Sequence, residues 1–127
     1  MPRDPAKSPL DDRIRVQHML EAARDVVAIA RGRCMDDLRT DMPMRRAIVN
    51  AIQEIGEAAA KVSPAGRARL AAIPWPVVVG MRNRLVHGYD EIDFGVVWKV
   101  ATEEVGTLIL ALETTFVSWP LPEPPSR

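Results

Sequence analysis

Apolar residues in the first part of the chain recur at threes and fours. Between Leu10 and Arg31 there is no Pro or Gly, and Val16, Met19, Leu20, Ala23, Val27 and Ala30 fall at helical spacing, with Ile14, His18, Glu21 and Asp25 set among them. That pattern predicts an amphipathic helix. Asp11 and Asp12 suit its positive N-terminal end, and Gly32 can end it. Residues 33–43 are polar and mixed. From about Met44 to Lys61, Ala47, Ile48, Ala51, Ile52, Ile55, Ala58, Ala59 and Val62 give a broad apolar face and a second helix. Gly56 lies inside it, where glycine costs about 1 kcal/mol against alanine. Close approach of another backbone would explain it; simple tolerance is the alternative. Ser63-Pro64 stops the helix, and Ala65 to Ala72 predict one or two further turns.

Ile73-Pro74-Trp75-Pro76 reads as a rigid connector. Pro76 fits the first turn of a helix, where its missing N–H costs nothing. A third long helix is predicted from Pro76 to about His87, with Gly88 placed to end it. Val77-Val78-Val79 is β-prone, but the prolyl start and the continuation beyond it favour a helix. Tyr89 to Ile92 form a turn, and Asp93 can cap a fourth helix. Its apolar set is Val96, Val97, Val100, Val105, Leu108, Ile109, Leu112 and Phe116. No segment alternates as a strand would. The expected fold is all-α, an antiparallel four-helix-type bundle with one extra short helix. The expected organisation is a flexible lead-in over 1–9, a helical domain over 10–117 and a Pro-rich disordered tail over 118–127.

Composition narrows the function classes. The chain has 127 residues, nearly half of them hydrophobic, enough for a single core. Charges balance at 17 against 17, so no strongly basic field attracts nucleic acid without specificity. Arginine far outnumbers lysine, which occurs only at Lys7, Lys61 and Lys99. Arginine forks suit phosphate and carboxylate, although codon bias alone can produce such an excess. One cysteine, Cys34, cannot make an internal disulfide and offers no paired metal ligand. The start MPRDPAKSPLDDR lacks the apolar region of a signal peptide, and apolar runs fall well short of the roughly 18 residues of a membrane span. A cytoplasmic protein with no membrane association, metal or cofactor is expected.

The segment RNRLVHGY concentrates chemistry. Taken as a helix at about 100° per residue, with Arg82 at zero, Met81, Leu85 and Val78 fall at about 260–320° and mark a buried face. Asn83 and His87 stack one turn apart on the opposite side, and Tyr89 falls near Arg82. His87 can donate and accept a proton near neutral pH. Arg82 can neutralise a phosphate or its pentavalent transition state, and Asn83 can orient the imidazole or bond a phosphate oxygen. The set suits RNA cleavage by attack of the ribose 2′-OH, which needs a base, an acid and a cation. Acid and base call for two groups, and only His87 is offered here. A twofold dimer would supply the second. The projection also leaves Arg82 and His87 about 140° apart, so the helix loosens near Gly88 or the two reach the substrate from adjoining edges.

Arg82, four residues, His87, Gly88 and Tyr89 match the Arg-x4-His-x-Tyr motif of the HEPN superfamily. The surrounding IPWPVVVGMRNRLVHGYDEIDFGVVWKV resembles the toxins of the HepT/MntA toxin–antitoxin systems, as do NAIQEIGEAAAKVS (Asn50 to Ser63) and RIRVQHMLEAA near the start. The resemblance covers about residues 11–116. It implies a HEPN-like, homodimeric all-α bundle with the motifs meeting at the dimer cleft. It implies a ribonuclease toxin with Arg82 and His87 catalytic and Asn83 assisting, acting on an RNA such as tRNA or mRNA. It further implies a partner antitoxin of nucleotidyltransferase fold that transfers AMP to Tyr89. Gly88 stands where a charged residue is frequent in the family. The alternative reading is a non-catalytic helical partner, or nucleotide-binding subunit, of a nucleotidyltransferase.

Four further features have simpler readings. His18 is a surface or structural residue, with a place in the cleft as the alternative. Glu54 and Glu57 are solvated carboxylates, or ion-pair a motif arginine. Trp75 and Trp98 anchor the core or an interface, while Trp119 is a candidate partner contact. Cys34 is inert.

Overall fold

The computed structural model describes residues 9–87 and 91–119. The expected lead-in and tail therefore fall almost wholly outside the described residues. Helix α1, Pro9–Ala30, carries Asp11 and Asp12 in its first turn, and Gly32 past its end adopts φ 73°, the left-handed region open to glycine. Val16, Met19, Ala23 and Val26 are fully buried. A short helix, α2 (Asp37–Thr40), comes next, in the stretch whose sequence is polar and mixed. Its Leu38 is fully buried, and Asp37 Oδ2 accepts the Cys34 N–H at 2.8 Å.

Helix α3, Met42–Ala60, starts two residues earlier than the pattern predicts. Asp41 caps it by accepting the Met44 N–H at 3.0 Å, so Pro43 falls in the first turn rather than stopping the chain. Ser63 caps α4, Pro64–Arg69, by accepting the Gly66 N–H at 3.0 Å. The Asp12 carboxylate of α1, only 3% exposed, accepts from the Ser63 N–H and hydroxyl at 2.9 and 2.5 Å and ties that corner to the bundle. The Trp75 indole N–H reaches the Arg67 and Leu70 carbonyls at 3.1 Å each, so this tryptophan is the core anchor expected of it.

The third long helix is the main correction. The chain forms two short helices instead, α5 over Trp75–Val79 and α6 over Met81–Leu85, joined at Gly80. Val86–His87 (β1) then pairs antiparallel with Glu91–Ile92 (β2), Val86 opposite Ile92 and His87 opposite Glu91. The cause lies in the backbone. The Leu85 carbonyl, which a continuing helix would need for the N–H four residues on, instead accepts the Asp93 N–H at 2.9 Å. β-branched Val86 and Ile92 suit the extended ladder. Asp93 caps the helix that begins at Phe94, accepting the Val96 N–H at 3.1 Å as its sequence position predicts.

From Phe94 to Ser118 the chain is one continuous helix: α7 (Phe94–Lys99), a π turn over Val100–Glu104, and α8 (Val105–Ser118). Val97, Val100, Val105, Leu108 and Leu112 are buried, as the apolar set foretold. Trp98 is half-buried against the same core. Trp119 is 5% exposed with the Arg69 guanidinium 5.1 Å from its ring centroid, so the indole is packed inside rather than offered to a partner. Helix α1 packs along α3 and against α8, and α3 also receives α5 and α6, giving the expected all-α architecture. Among the described residues no helix is long and apolar enough to cross a membrane.

Candidate active site

Helix α6 presents the motif. Met81 and Leu85, 2% and 0% exposed, pin one side of it in the core. Arg82, Asn83 and Arg84 are left on the exposed side. The buried face is therefore the one the helical projection gives, with Val78 of α5 completing it at 2% exposure. Underneath lies Gly56 of α3. A Cβ there would stand 3.4 Å from the Val78 and Val79 carbonyl oxygens and 4.0 Å from the Arg82 amide nitrogen. The backbone that passes over Gly56 is that of the motif, at distances where a Cβ would make ordinary van der Waals contact, so the packing does not demand glycine.

The projection fails beyond Leu85. His87 belongs to β1, so the helical phase that set it one turn beyond Asn83 does not apply. Its backbone position is set by pairing with Glu91 in the short ladder. Gly88 and Tyr89 lie outside the described residues. Arg82 and Asn83 are thus brought together on α6, and His87 comes next on the strand leading from it.

Arg82 has no side-chain partner among the described residues. Arg84 does: its two terminal nitrogens donate to the two carboxylate oxygens of Glu104 at 2.6 and 2.8 Å. Those bonds hold the Glu104 carboxyl below its usual range and raise the Arg84 guanidinium above its own. Sequence reasoning passed over both residues. They are 20 positions apart in different elements, and neither periodicity nor local motif links them.

His18 is exposed and lines a polar cavity of about 290 Å³ between α1 and α3, with Arg15, Glu54, Glu57 and Lys61. Glu54 and Glu57 share that cavity with His18. Met81, Val77, Val78, Leu108 and Ala111 line a second, largely apolar groove of about 390 Å³, edged by Glu103 and Glu104. Among the described residues no group of three or more His, Cys, Asp or Glu is placed to hold a metal ion.

A family model described as HepT-like, for ribonuclease HepT-like proteins, matches residues 19–115, from the middle of α1 to the last turns of α8. The chain belongs to the HepT-like family. A Methanocaldococcus jannaschii protein named as a candidate RNase is 32% identical over 87 residues, covering 68% of this chain and 80% of that protein. A Caldanaerobacter subterraneus protein, also named as a candidate RNase, is 26% identical over 93 residues, 73% of this chain and 83% of its own length. A Thermococcus cleftensis protein named as a probable ribonuclease HepT is 28% identical over 93 residues, 73% and 84% of the two chains. No solved structure gives a significant match to the chain. The HepT-like match spans α6 and the ladder, and so includes Arg82, Asn83 and His87.

Proposed function

We propose that this HepT-like protein is a metal-independent endoribonuclease toxin, with Arg82, His87 and Asn83 as its catalytic set. The observation that carries the reading is Arg82 itself. It is exposed, has no side-chain partner among the described residues, and stands on a helix pinned in the core, five residues before His87. An arginine so placed can take a phosphate, and in a family of ribonucleases the phosphate is that of RNA.

The chemistry rests on the residue types. His87 accepts the proton of a ribose 2′-OH, whose oxygen attacks the adjoining phosphorus. Arg82 stabilises the charge that builds on the phosphoryl oxygens, and Asn83 bonds one of them. The 5′-oxygen leaves with a proton from a second imidazole, that of His87 of the partner subunit in a twofold homodimer. The products are a 2′,3′-cyclic phosphate and a free 5′-hydroxyl. Regulation falls to Tyr89. A partner antitoxin of nucleotidyltransferase fold transfers AMP from ATP to its phenolic oxygen and releases pyrophosphate. The added phosphate and base would sit beside Arg82, occupy the phosphate site and repel RNA.

Induced expression of the wild type should arrest growth and leave cleaved RNA ending in cyclic phosphates, and purified protein should cleave with EDTA present. His87→Ala and Arg82→Ala should do neither while melting like wild type. Co-expression with the neighbouring gene should add the mass of AMP at Tyr89. A wild-type dimer that cuts no RNA and arrests no cell would refute the nuclease and favour a non-catalytic partner of the nucleotidyltransferase.

A further inference from the structure

The motif holds two arginines two positions apart, and the fold treats them oppositely. Arg82 is left without a side-chain partner among the described residues, whereas Arg84 is engaged fork to fork by Glu104 at 2.6 and 2.8 Å. Paired N–H···O bonds of this kind fix geometry as well as charge. Glu104 ends the π turn of the long C-terminal helix, a type of distortion that concentrates at functional sites. Its carboxylate also stands at the edge of the apolar groove formed by Met81, Val77, Val78 and Leu108. A low-dielectric wall on one side strengthens such a pair relative to one fully in water.

Helix α6 has five residues, too few to hold a helix by its own hydrogen bonds. Buried Met81 and Leu85 fasten its inner side. Among the described residues, the Arg84–Glu104 pair is the only ion pair fastening its outer side. We propose that Glu104 is a positioning residue for the motif: it fixes α6 and sequesters Arg84, so that Arg82 alone meets the scissile phosphate. A freed Arg84 would offer the phosphate a second seat off the line of attack. Binding gained in that way tightens the ground state without lowering the barrier.

This inference rests on the nuclease reading above. The test uses the full chain and a fluorescence-quenched, mixed-sequence RNA oligonucleotide. Glu104→Gln should lower kcat by about tenfold, as a small misplacement of reacting groups does, with KM unchanged or lower. Freeing Arg84 should also steepen the log–log salt dependence of binding by about 0.7, the value for one added phosphate contact on a single strand. The reciprocal swap R84E/E104R should restore kcat and the salt slope. A pair that only stabilised the fold would shift the melting temperature and move neither kcat nor the slope. A wild-type kcat or a wild-type slope in Glu104→Gln overturns the proposal. If wild-type protein cleaves no RNA, the nuclease reading fails on its own. Amide hydrogen exchange over residues 81–87 then decides the positioning: Glu104→Gln should speed it, and unchanged exchange overturns the role.

Discussion

Two helical glycines face substitutions of opposite sign. At Gly66 in α4, a Cβ would lie 2.5 Å from Asp12 Oδ2, 2.8 Å from its Cγ and 2.9 Å from Val62 Cγ1. Asp12 cannot swing aside freely, because its buried carboxylate is held by the Ser63 N–H and hydroxyl. Alanine for glycine in a helix gains at most about 1 kcal/mol. Displacing Asp12 costs about 1.5–3 kcal/mol for each charged hydrogen bond lost. With one bond lost and Val62 crowded, Gly66→Ala should destabilise by about 2 kcal/mol. Unfolding entropy of about 2.1 cal/mol/K per residue makes each kcal/mol worth about 4 °C in a chain of 127 residues, so the melting temperature should fall by about 8 °C. Gly56→Ala is the control. Its Cβ would meet two carbonyl oxygens at 3.4 Å and the Arg82 amide nitrogen at 4.0 Å, ordinary contacts, so the propensity gain survives and melting should rise by about 2–4 °C. Calorimetric melts of both variants in one buffer test this, and in an Asp12→Ala background the Gly66→Ala cost should shrink. Gly66→Ala melting at or above wild type would refute the reasoning, as would equal losses at the two sites.

Asp93→Ala removes the side-chain cap on Val96 and should cost about 1 kcal/mol in urea unfolding; no loss would mean that the ladder alone starts the helix. The Arg84–Glu104 pair gives a signed pH dependence. Hydrogen bonding from Arg84 lowers the folded pKa of Glu104 from its ordinary 4.5. The pair's contribution is therefore complete above that value and lost as pH falls through the lower folded value. The melting-temperature gap between wild type and Glu104→Gln should be full at neutral pH and close on acidification, and a gap that widened toward acid would contradict the assignment.

The long helices were legible because each buries a stripe wide enough to leave a period in the sequence. Val16, Met19 and Ala23 of α1 and Ile48, Ile52 and Ile55 of α3 are all fully buried, and each set recurs at threes and fours. The cap at Asp93 announced itself by residue type, whereas Ser63-Pro64 read only as the stop of the preceding helix. Helix α2 did not announce itself, since a single buried Leu38 carries no period. The Arg84–Glu104 pair was equally silent, because an ion pair across 20 residues is a property of the packed fold.

The candidate site shows the same division at higher stakes. Reading Pro76 to His87 as one helix placed Arg82 and His87 about 140° apart, which left a nuclease having to explain how they could share a substrate. That angle belonged to the assumed helix and does not describe the backbone of the fold. The Asp93 N–H takes the Leu85 carbonyl, α6 stops, and the direction of the chain at His87 is set by pairing with Glu91 instead of by helical phase. No local pattern could announce this, because the donor lies eight residues beyond the acceptor, across a turn. The same handover gives Asp93 two tasks: its N–H ends the motif helix and its carboxylate begins the next. Removing the carboxylate leaves the N–H in place, so Asp93→Ala separates capping from motif geometry. Stability should fall, while the kcat of the folded protein should hold if the backbone bond is what presents His87.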